Sequence, residues 1–257
     1  MRNAVSYDTI GQPPALRSHP LRARRGHGIV IQCSLVYGKR VKNLGTRCYI
    51  AGAGDFCDYG MPEHGDFIIA ADGGYAQLTA RGITPDLVVG DFDSLGCVPE
   101  HPNIVRIPAE KDDTDTLFAV REGFKRGCKT FIINGGLGGR PDHSFANIQT
   151  LVFIANSGAH GILLGGGMCV TAITNETLSF LPGSAGTVSV FCAGSIADGV
   201  SLTGLKYSLD NAKLTGDFPI GVSNEFTGAP ATVAVRTGTL IVIWEGGPEA
   251  LVTQGDI

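Results

Sequence analysis

The feature that most constrains the fold is a change of hydrophobic period near residue 165. Between residues 47 and 165 the chain repeats one unit: a short apolar run, a glycine-rich loop and, in most cases, an amphipathic stretch. The runs are residues 48–51, 67–71, 87–89, 104–107, 130–133 and 162–164. Runs this short, bounded by turn residues, read as buried strands. Between them, Leu117, Val120 and Phe124 share one face of a helix over residues 114–126, and Phe145, Ile148, Val152 and Ala155 do so over residues 144–156. The alternation predicts a mostly parallel sheet wrapped by helices, with ligands at the carboxyl ends of the strands.

After about residue 171 the helical period disappears. Val188, Val190 and Cys192 alternate with polar neighbours, as do Leu205, Tyr207 and Leu209, and Val233 and Val235 precede the run 240–244. Turn pairs punctuate the segment: Pro182-Gly183, Asp198-Gly199, Asp210-Asn211 and Thr237-Gly238. Such spacing predicts an antiparallel β-sandwich or barrel, of which the sandwich is the reading adopted. The expected fold class is therefore α/β plus all-β: a mostly parallel α/β sheet domain over residues 46–168 and a C-terminal antiparallel β-sandwich domain over residues 169–257. Residues 1–45, with Pro13-Pro14 and a basic run at 21–25, lack apolar periodicity. They are expected to form a flexible basic extension, a targeting or docking segment being the other reading.

Composition narrows the function classes. With 37 Gly and 13 Pro in 257 residues, just under a fifth of the positions punctuate the backbone, which fits a coiled coil or plain helical bundle poorly. The apolar runs fall far short of the ~20 residues that cross a bilayer, so no membrane partner is expected. Residues 1–47 carry nine basic residues against one acidic; the remaining 11 basic and 23 acidic residues leave the body at −12. That balance disfavours a nucleic-acid surface and favours cation binding. The seven cysteines are scattered, odd in number and never spaced Cys-x-x-Cys, which suggests neither a zinc cluster nor a disulfide framework and points to the cytoplasm.

The chemistry-bearing residues follow the strands of the first domain. Asp72-Gly73-Gly74 follows run 67–71, Gly90-Asp91-Phe92-Asp93-Ser94 follows run 87–89, and Glu110-Lys111-Asp112-Asp113-Thr114-Asp115 follows run 104–107. Carboxylates gathered at one sheet edge repel one another unless a cation neutralises them. Mg²⁺, a hard oxygen-seeking ion that uses one or two carboxylates plus substrate phosphates, is the expected counter-ion. On an extended backbone, Asp91 and Asp93 point the same way and Phe92 the other. Each loop taken alone also has a structural reading, since Asp-x-Asp is common in turns and Thr114 or Asp113 can cap the following helix.

The run ending at Ile133 opens into Asn134-Gly135-Gly136-Leu137-Gly138-Gly139-Arg140-Pro141-Asp142-His143, just ahead of a helix. Its glycines let the backbone approach a polyphosphate, while helix amides and Arg140 supply donors. It has neither the P-loop ending nor the dinucleotide glycine spacing. His143 reads either as an acid–base group or as a structural residue at a helix start.

These motifs, with Asn147 and Gly221-Val222-Ser223-Asn224-Glu225-Phe226, resemble the thiamin pyrophosphokinase (thiamin diphosphokinase) family in order and approximate spacing from about residue 47 to 245. The resemblance implies a homodimer with shared active sites that moves pyrophosphate from ATP to the hydroxyl of thiamin, giving thiamin diphosphate and AMP. It implies Asp91, Asp93 and Asp115 as Mg²⁺ ligands, with Asp72 beside the metal and phosphates. It implies Lys111, Asp112, Thr114, Gly138, Arg140, Asp142, His143 and Asn147 as the nucleotide-contacting set, and Ser223 and Asn224 as the residues that hold thiamin across the dimer interface. Glu110 stands where the family motif commonly begins with Asp, and residues 1–45 have no counterpart. Asn224 can alternatively shape a turn, and Trp244 either stacks on thiamin or belongs to the core. The rivals are a pyrophosphokinase of the same fold acting on another hydroxymethyl heterocycle such as a pterin, a metal-dependent glycosyltransferase using Asp91-Phe92-Asp93, and a non-catalytic sensor.

Overall fold

The computed structural model describes residues 47–92, 99–107 and 113–252. A ten-stranded sheet runs through the described chain in the order β12-β9-β14-β7-β6-β5-β1-β2-β3-β4. Its parallel part comprises β1 (Arg47–Ala51), β2 (Phe67–Ala71), β3 (Leu87–Gly90), β4 (Ile104–Arg106), β5 (Thr130–Asn134) and β6 (His160–Gly165). The direction then reverses. A hairpin at Gly166 and Gly167, both at positive φ, returns the chain as β7 (Met168–Thr174), which pairs antiparallel with β6. Strands β14 (Thr239–Glu245), β9 (Thr187–Cys192) and the two-residue β12 (Asn224–Glu225) extend the sheet antiparallel from there.

Period-two alternation sends each strand's side chains to two different cores. Cys48 and Ile50 of β1 join Ile69, Val89, Ile133 and Leu163 on one face, against α2 (Asp115–Lys125) and α3 (Pro141–Asn156). Tyr49 and Ala51 face the other way, with Ala70 and Val88 against Leu78 of the short α1 (Gly74–Thr79). That second core continues into the space between the large sheet and a four-stranded sheet ordered β11-β10-β13-β8. The small sheet consists of β8 (Thr177–Phe180), β10 (Ile196–Thr203), β11 (Leu209–Thr215) and β13 (Ala231–Ala234). Parallel α/β sheet and antiparallel sandwich are thus both present, built on one uninterrupted sheet.

Three local expectations need correction. Asp198-Gly199 and Asp210-Asn211 are not chain reversals. Both lie inside paired strands, where Gly199 at φ 69° and Asn211 at φ 48° accompany irregular register between β10 and β11. A residue at positive φ can absorb a bulge as well as close a turn. Arg236 spans the two positions, donating to Asp198 Oδ2 at 2.6 Å and to Asn211 Oδ1 at 3.0 Å. Residues 205–209 are not one strand either: Leu205 makes an isolated bridge to Phe226, and β11 starts only at Leu209. Helix α3 begins three residues earlier than the apolar period indicates, because Pro141 occupies its first turn, where a missing N–H costs nothing.

Trp244 is wholly buried in the sandwich core, its ring edge-on to Phe180 at 5.5 Å and its Nε1–H donating to Gly247 O at 3.1 Å. It is a core residue, with no face left for a ligand. The five described cysteines are free thiols, four of them buried. Among the described residues no helix is long and apolar enough to cross a membrane. Replacing Trp244 by Ala should lower unfolding free energy by about 3–5 kcal/mol, as read by denaturant titration; a loss under 1 kcal/mol would contradict this placement.

Candidate active site

The site is laid out along the carboxyl ends of β3, β2, β1 and β5. The loops after β2 and β3 are locked backbone to backbone. Asp72 N–H donates to Val89 O at 2.8 Å, and a Cβ on Gly90 would stand 3.2 Å from Asp72 Cα. Both loops carry non-glycine residues in the left-handed region, Asp72 at φ 46° and Phe92 at φ 64°. Such backbone costs on the order of 1–3 kcal/mol per residue and persists where the surroundings enforce it. At Phe92 the enforcement is burial: its ring is 3% exposed, in the core beneath the sheet. The extended Asp91-Phe92-Asp93 geometry expected from the sequence is therefore replaced by a kink that drives Phe92 inward and leaves Asp91 half-buried at the edge.

Asp115 opens α2, and Thr114 caps that helix by accepting from Leu117 N–H at 3.1 Å. The capping reading of Thr114 is thus realised. Helix α2 packs across β1, β2 and β3, so its acidic first turn belongs to the same part of the fold as Asp72 and Asp91. Asp93, Lys111 and Asp112 lie outside the described residues. Among the described residues no three His, Cys, Asp or Glu side chains form a metal cluster. The carboxylates that are described offer only oxygen donors, from two interlocked loops and a helix start, and this donor chemistry fits Mg²⁺.

On the other side of β1 the glycine loop is built as a seam. Pairing of β1 with β5 does not stop at the strand ends: Gly52 N–H donates to Asn134 O at 2.7 Å, Gly54 N–H to Gly135 O at 2.7 Å and Asp55 N–H to Leu137 O at 2.8 Å. The backbones are so close that a Cβ on Gly52 would stand 2.6 Å from Gly135 O. The wholly buried Asn134 pins the seam from below. Its Nδ2 donates to Tyr49 Oη at 3.0 Å and Cys57 O at 2.8 Å, and its Oδ1 accepts from Cys57 N–H at 2.9 Å. Burial pushes the Tyr49 phenol up to about 12, so it stays protonated at neutral pH. Asn147, also buried, donates to Gly136 O at 2.7 Å and ties the loop to α3.

Beyond the seam, Gly138 and Gly139 take φ 85° and 65°, and Gly139 has open space around it. Arg140 and Asp142 are exposed and form a bidentate pair of 3.2 and 2.6 Å. The guanidinium holds the Asp142 carboxyl below its ordinary range. His143 is exposed in the first turn of α3. The loop after β1, residues 52–57, is the part of this edge that the sequence reading missed; its Gly-x-Gly directly after an apolar run was the available signal.

Ser223 and Asn224 are not brought to this edge. They sit at β12, at the opposite border of the sheet, seven strand steps from β2. With strands ~4.8 Å apart, that is on the order of 30 Å along the sheet. Asn224 is 4% exposed and its amide is engaged at both ends: Oδ1 accepts from Tyr207 N–H and Glu225 N–H, each at 2.9 Å, and Nδ2 donates to Tyr207 O at 2.7 Å. It is a staple that holds residues 205–208 against β12. Ser223 is exposed at φ 58°, with Tyr207, Ile220 and Val222 exposed in the same region.

Comparison with known proteins gives this division a family. Residues 61–162 match the model of the thiamin pyrophosphokinase catalytic domain, and residues 175–241 match that of the thiamin pyrophosphokinase vitamin B1 binding domain. The chain belongs to the thiamin pyrophosphokinase family. Within the family it is 28% identical over 189 residues to the thiamine pyrophosphokinase of Bacillus subtilis, covering 68% of this chain and 85% of that protein. It is 27% identical over 176 residues to thiamin pyrophosphokinase 1 of Caenorhabditis elegans, covering 62% and 71%. The crystal structure of the Bacillus subtilis thiamine pyrophosphokinase superposes with a TM-score of 0.69 at 25% identity, over 79% of this chain and 99% of that one. Yeast thiamin pyrophosphokinase shares the fold, with a TM-score of 0.62 at 16% identity over 80% and 87%.

The catalytic-domain match contains Asp72, Asp91, Asp115 and the glycine loop, and the vitamin-binding match contains Ser223 and Asn224. Removing the staple gives a direct check on Asn224. Asn224→Ala should destabilise the protein by about 1–3 kcal/mol, because the Tyr207 backbone groups lose their partners; an unchanged melting temperature would contradict the staple.

Proposed function

We infer that the chain transfers the pyrophosphoryl group of ATP to the hydroxyl of thiamin, giving thiamin diphosphate and AMP. The observation that carries this reading is the joint match, in order, of a thiamin pyrophosphokinase catalytic domain and a vitamin B1 binding domain on one continuous sheet. The vitamin-binding match favours thiamin over a pterin acceptor, and the pair of domains favours a pyrophosphokinase over a glycosyltransferase or a sensor. In this reading residues 46–168 hold ATP and Mg²⁺, residues 169–257 hold thiamin, and residues 1–45 extend the enzyme. The scattered cysteines favour a cytoplasmic setting.

Asp91, Asp93 and Asp115 hold Mg²⁺, with Asp72 beside them; support comes from the interlocked loops at β2 and β3 and the acidic start of α2. Mg²⁺, when bound, neutralises phosphate charge and fixes phosphate geometry. The protein's work is positioning and charge stabilisation. The glycine seam lets phosphate oxygens lie against backbone, and the first turn of α3 faces them with its amides. Arg140 stays oriented by Asp142 until phosphate oxygens compete for it, and Asn147 acts by keeping Gly136 in place. Lys111, Asp112, Thr114, Gly138 and His143 complete the nucleotide set. Asp72, held at the edge by its backbone, is the candidate to receive the thiamin hydroxyl proton.

Thiamin is held by Ser223 and by the surface that Asn224 staples. Because β12 lies at the far border of the sheet, these residues meet the acidic loops of a second copy, and the enzyme is a homodimer with shared sites. Incubation with ATP, Mg²⁺ and thiamin should release AMP and thiamin diphosphate in equal amounts. ADP as the main nucleotide product would contradict transfer from the β-phosphorus. On dilution, activity per chain should fall in step with dimer dissociation measured by sedimentation; constant activity through dissociation would put each site within one chain.

A further inference from the structure

Asp55 lies just ahead of the matched residues 61–162, and it occupies a position in the site that the reading above leaves unused. Its backbone is fixed on both sides. Its own N–H and that of Gly54 belong to the seam with β5, Cys57 N–H is held by Asn134 Oδ1, and the Phe56 ring lies under the Arg81 guanidinium at 4.4 Å. The carboxylate is exposed and leans over the glycine loop, so that any side chain at Gly138 would run into it. It also faces the β6–β7 hairpin: a Cβ on Gly166 would stand 3.7 Å from Asp55 Oδ2. Among the described residues no hydrogen bond or ion pair holds this carboxylate. An acceptor with free lone pairs, carried on a fixed backbone at the lip of the glycine loop, is available to donors on a ligand.

Position selects those donors. The acidic loops stand at β2 and β3, whereas Asp55 stands over the ends of β5 and β6, with β1 between. From β3 to β5 is three strand steps, about 14 Å. A nucleotide with its outer phosphates at the acidic loops and its chain crossing β1 to the glycine loop therefore lays its sugar over β5 and β6. Negative charge here repels phosphate and suits hydroxyl donors. We propose that Asp55 accepts hydrogen bonds from the ribose hydroxyls of the nucleotide, making this residue the determinant of ribonucleotide over deoxyribonucleotide selection. The proposal rests on the ATP-dependent reading of the site.

The test is calorimetric titration of the full chain with AMP, 2′-deoxy-AMP and 3′-deoxy-AMP, alongside steady-state kinetics with the matching triphosphates. Wild-type protein should prefer AMP over at least one deoxy form by about 10- to 100-fold, the range of a hydrogen bond to a charged group. Asp55→Ala should bind AMP as weakly as that deoxy form, and its KM for ATP should rise by a similar factor with kcat little changed. Asp55→Asn, which keeps the shape and one acceptor oxygen, should keep part of the preference; it stands in if the Ala variant does not fold. Equal binding of AMP and both deoxy forms by wild type, a failure of wild type to bind AMP, or a preference undiminished in both variants would overturn the proposal. The ribose preference without any transfer to thiamin would separate the two readings, sustaining Asp55 while sinking the pyrophosphokinase reaction.

Discussion

The structure depends on the pairing of β1 with β5 beyond the point where either is still a strand. Three further backbone hydrogen bonds, from Gly52, Gly54 and Asp55, carry the ladder into the loops and turn two flexible, glycine-rich segments into a fixed floor. Glycine is required there because the two backbones approach more closely than a Cβ allows at positions 52 and 135. The buried Asn134 makes the seam possible. It supplies partners for both Cys57 backbone groups where the chain leaves the seam, so neither is stranded in the core. A loop with so many glycines would otherwise lose much conformational entropy on being ordered.

Among the described residues five non-glycine residues take positive φ, and two of them, Asn175 and Asn211, belong to the β-rich half away from the expected ligand contacts. Asp72, Phe92 and Ser223 are non-glycine residues at positive φ, and each stands at or beside an expected ligand contact. At Phe92 the cost is offset by burying an aromatic ring. Asp72 is held by its hydrogen bond to β3. Ser223 is held by its N–H donating to Ser189 Oγ at 3.0 Å and by the Asn224 staple that follows. At Asp72 and Ser223 backbone bonding fixes the main chain that carries a short polar side chain, and at Phe92 packing of the ring fixes the backbone beside Asp91. The continuous sheet sets Ser223 and Asn224 seven strand steps from β2, and the proposal of a shared-site homodimer rests on that separation.

Much of this was legible in the sequence, for physical reasons that also explain the gaps. The strands β1, β2, β3 and β5 announce themselves because both their faces are buried, which makes them continuous apolar runs. Helix α2 is legible from its cap and its apolar face together. Asp198-Gly199 and Asp210-Asn211 were misread because a bulge and a turn demand the same left-handed residue, and only pairing partners distinguish them. Asn147 and Asn224 read as ligand residues, and the structure adds a bracing role that the sequence does not reveal, with amides bonded to the backbone of Gly136 and Tyr207, 11 and 17 residues away. Nothing in a local pattern reveals such a partner. The role of residues 52–57 was hidden for the same reason, since it comes from contact with residues 134–138.

The central claim is that the loops after β1 and β5 form a rigid extension of the sheet. Hydrogen exchange of individual backbone amides in the ligand-free protein tests it most directly, because exchange of a buried, paired amide requires local opening. Protection at Gly52, Gly54 and Asp55 comparable with that of the β1 amides is the predicted result. Exchange of these three at the rate of exposed loops such as residues 63–65 would contradict the account.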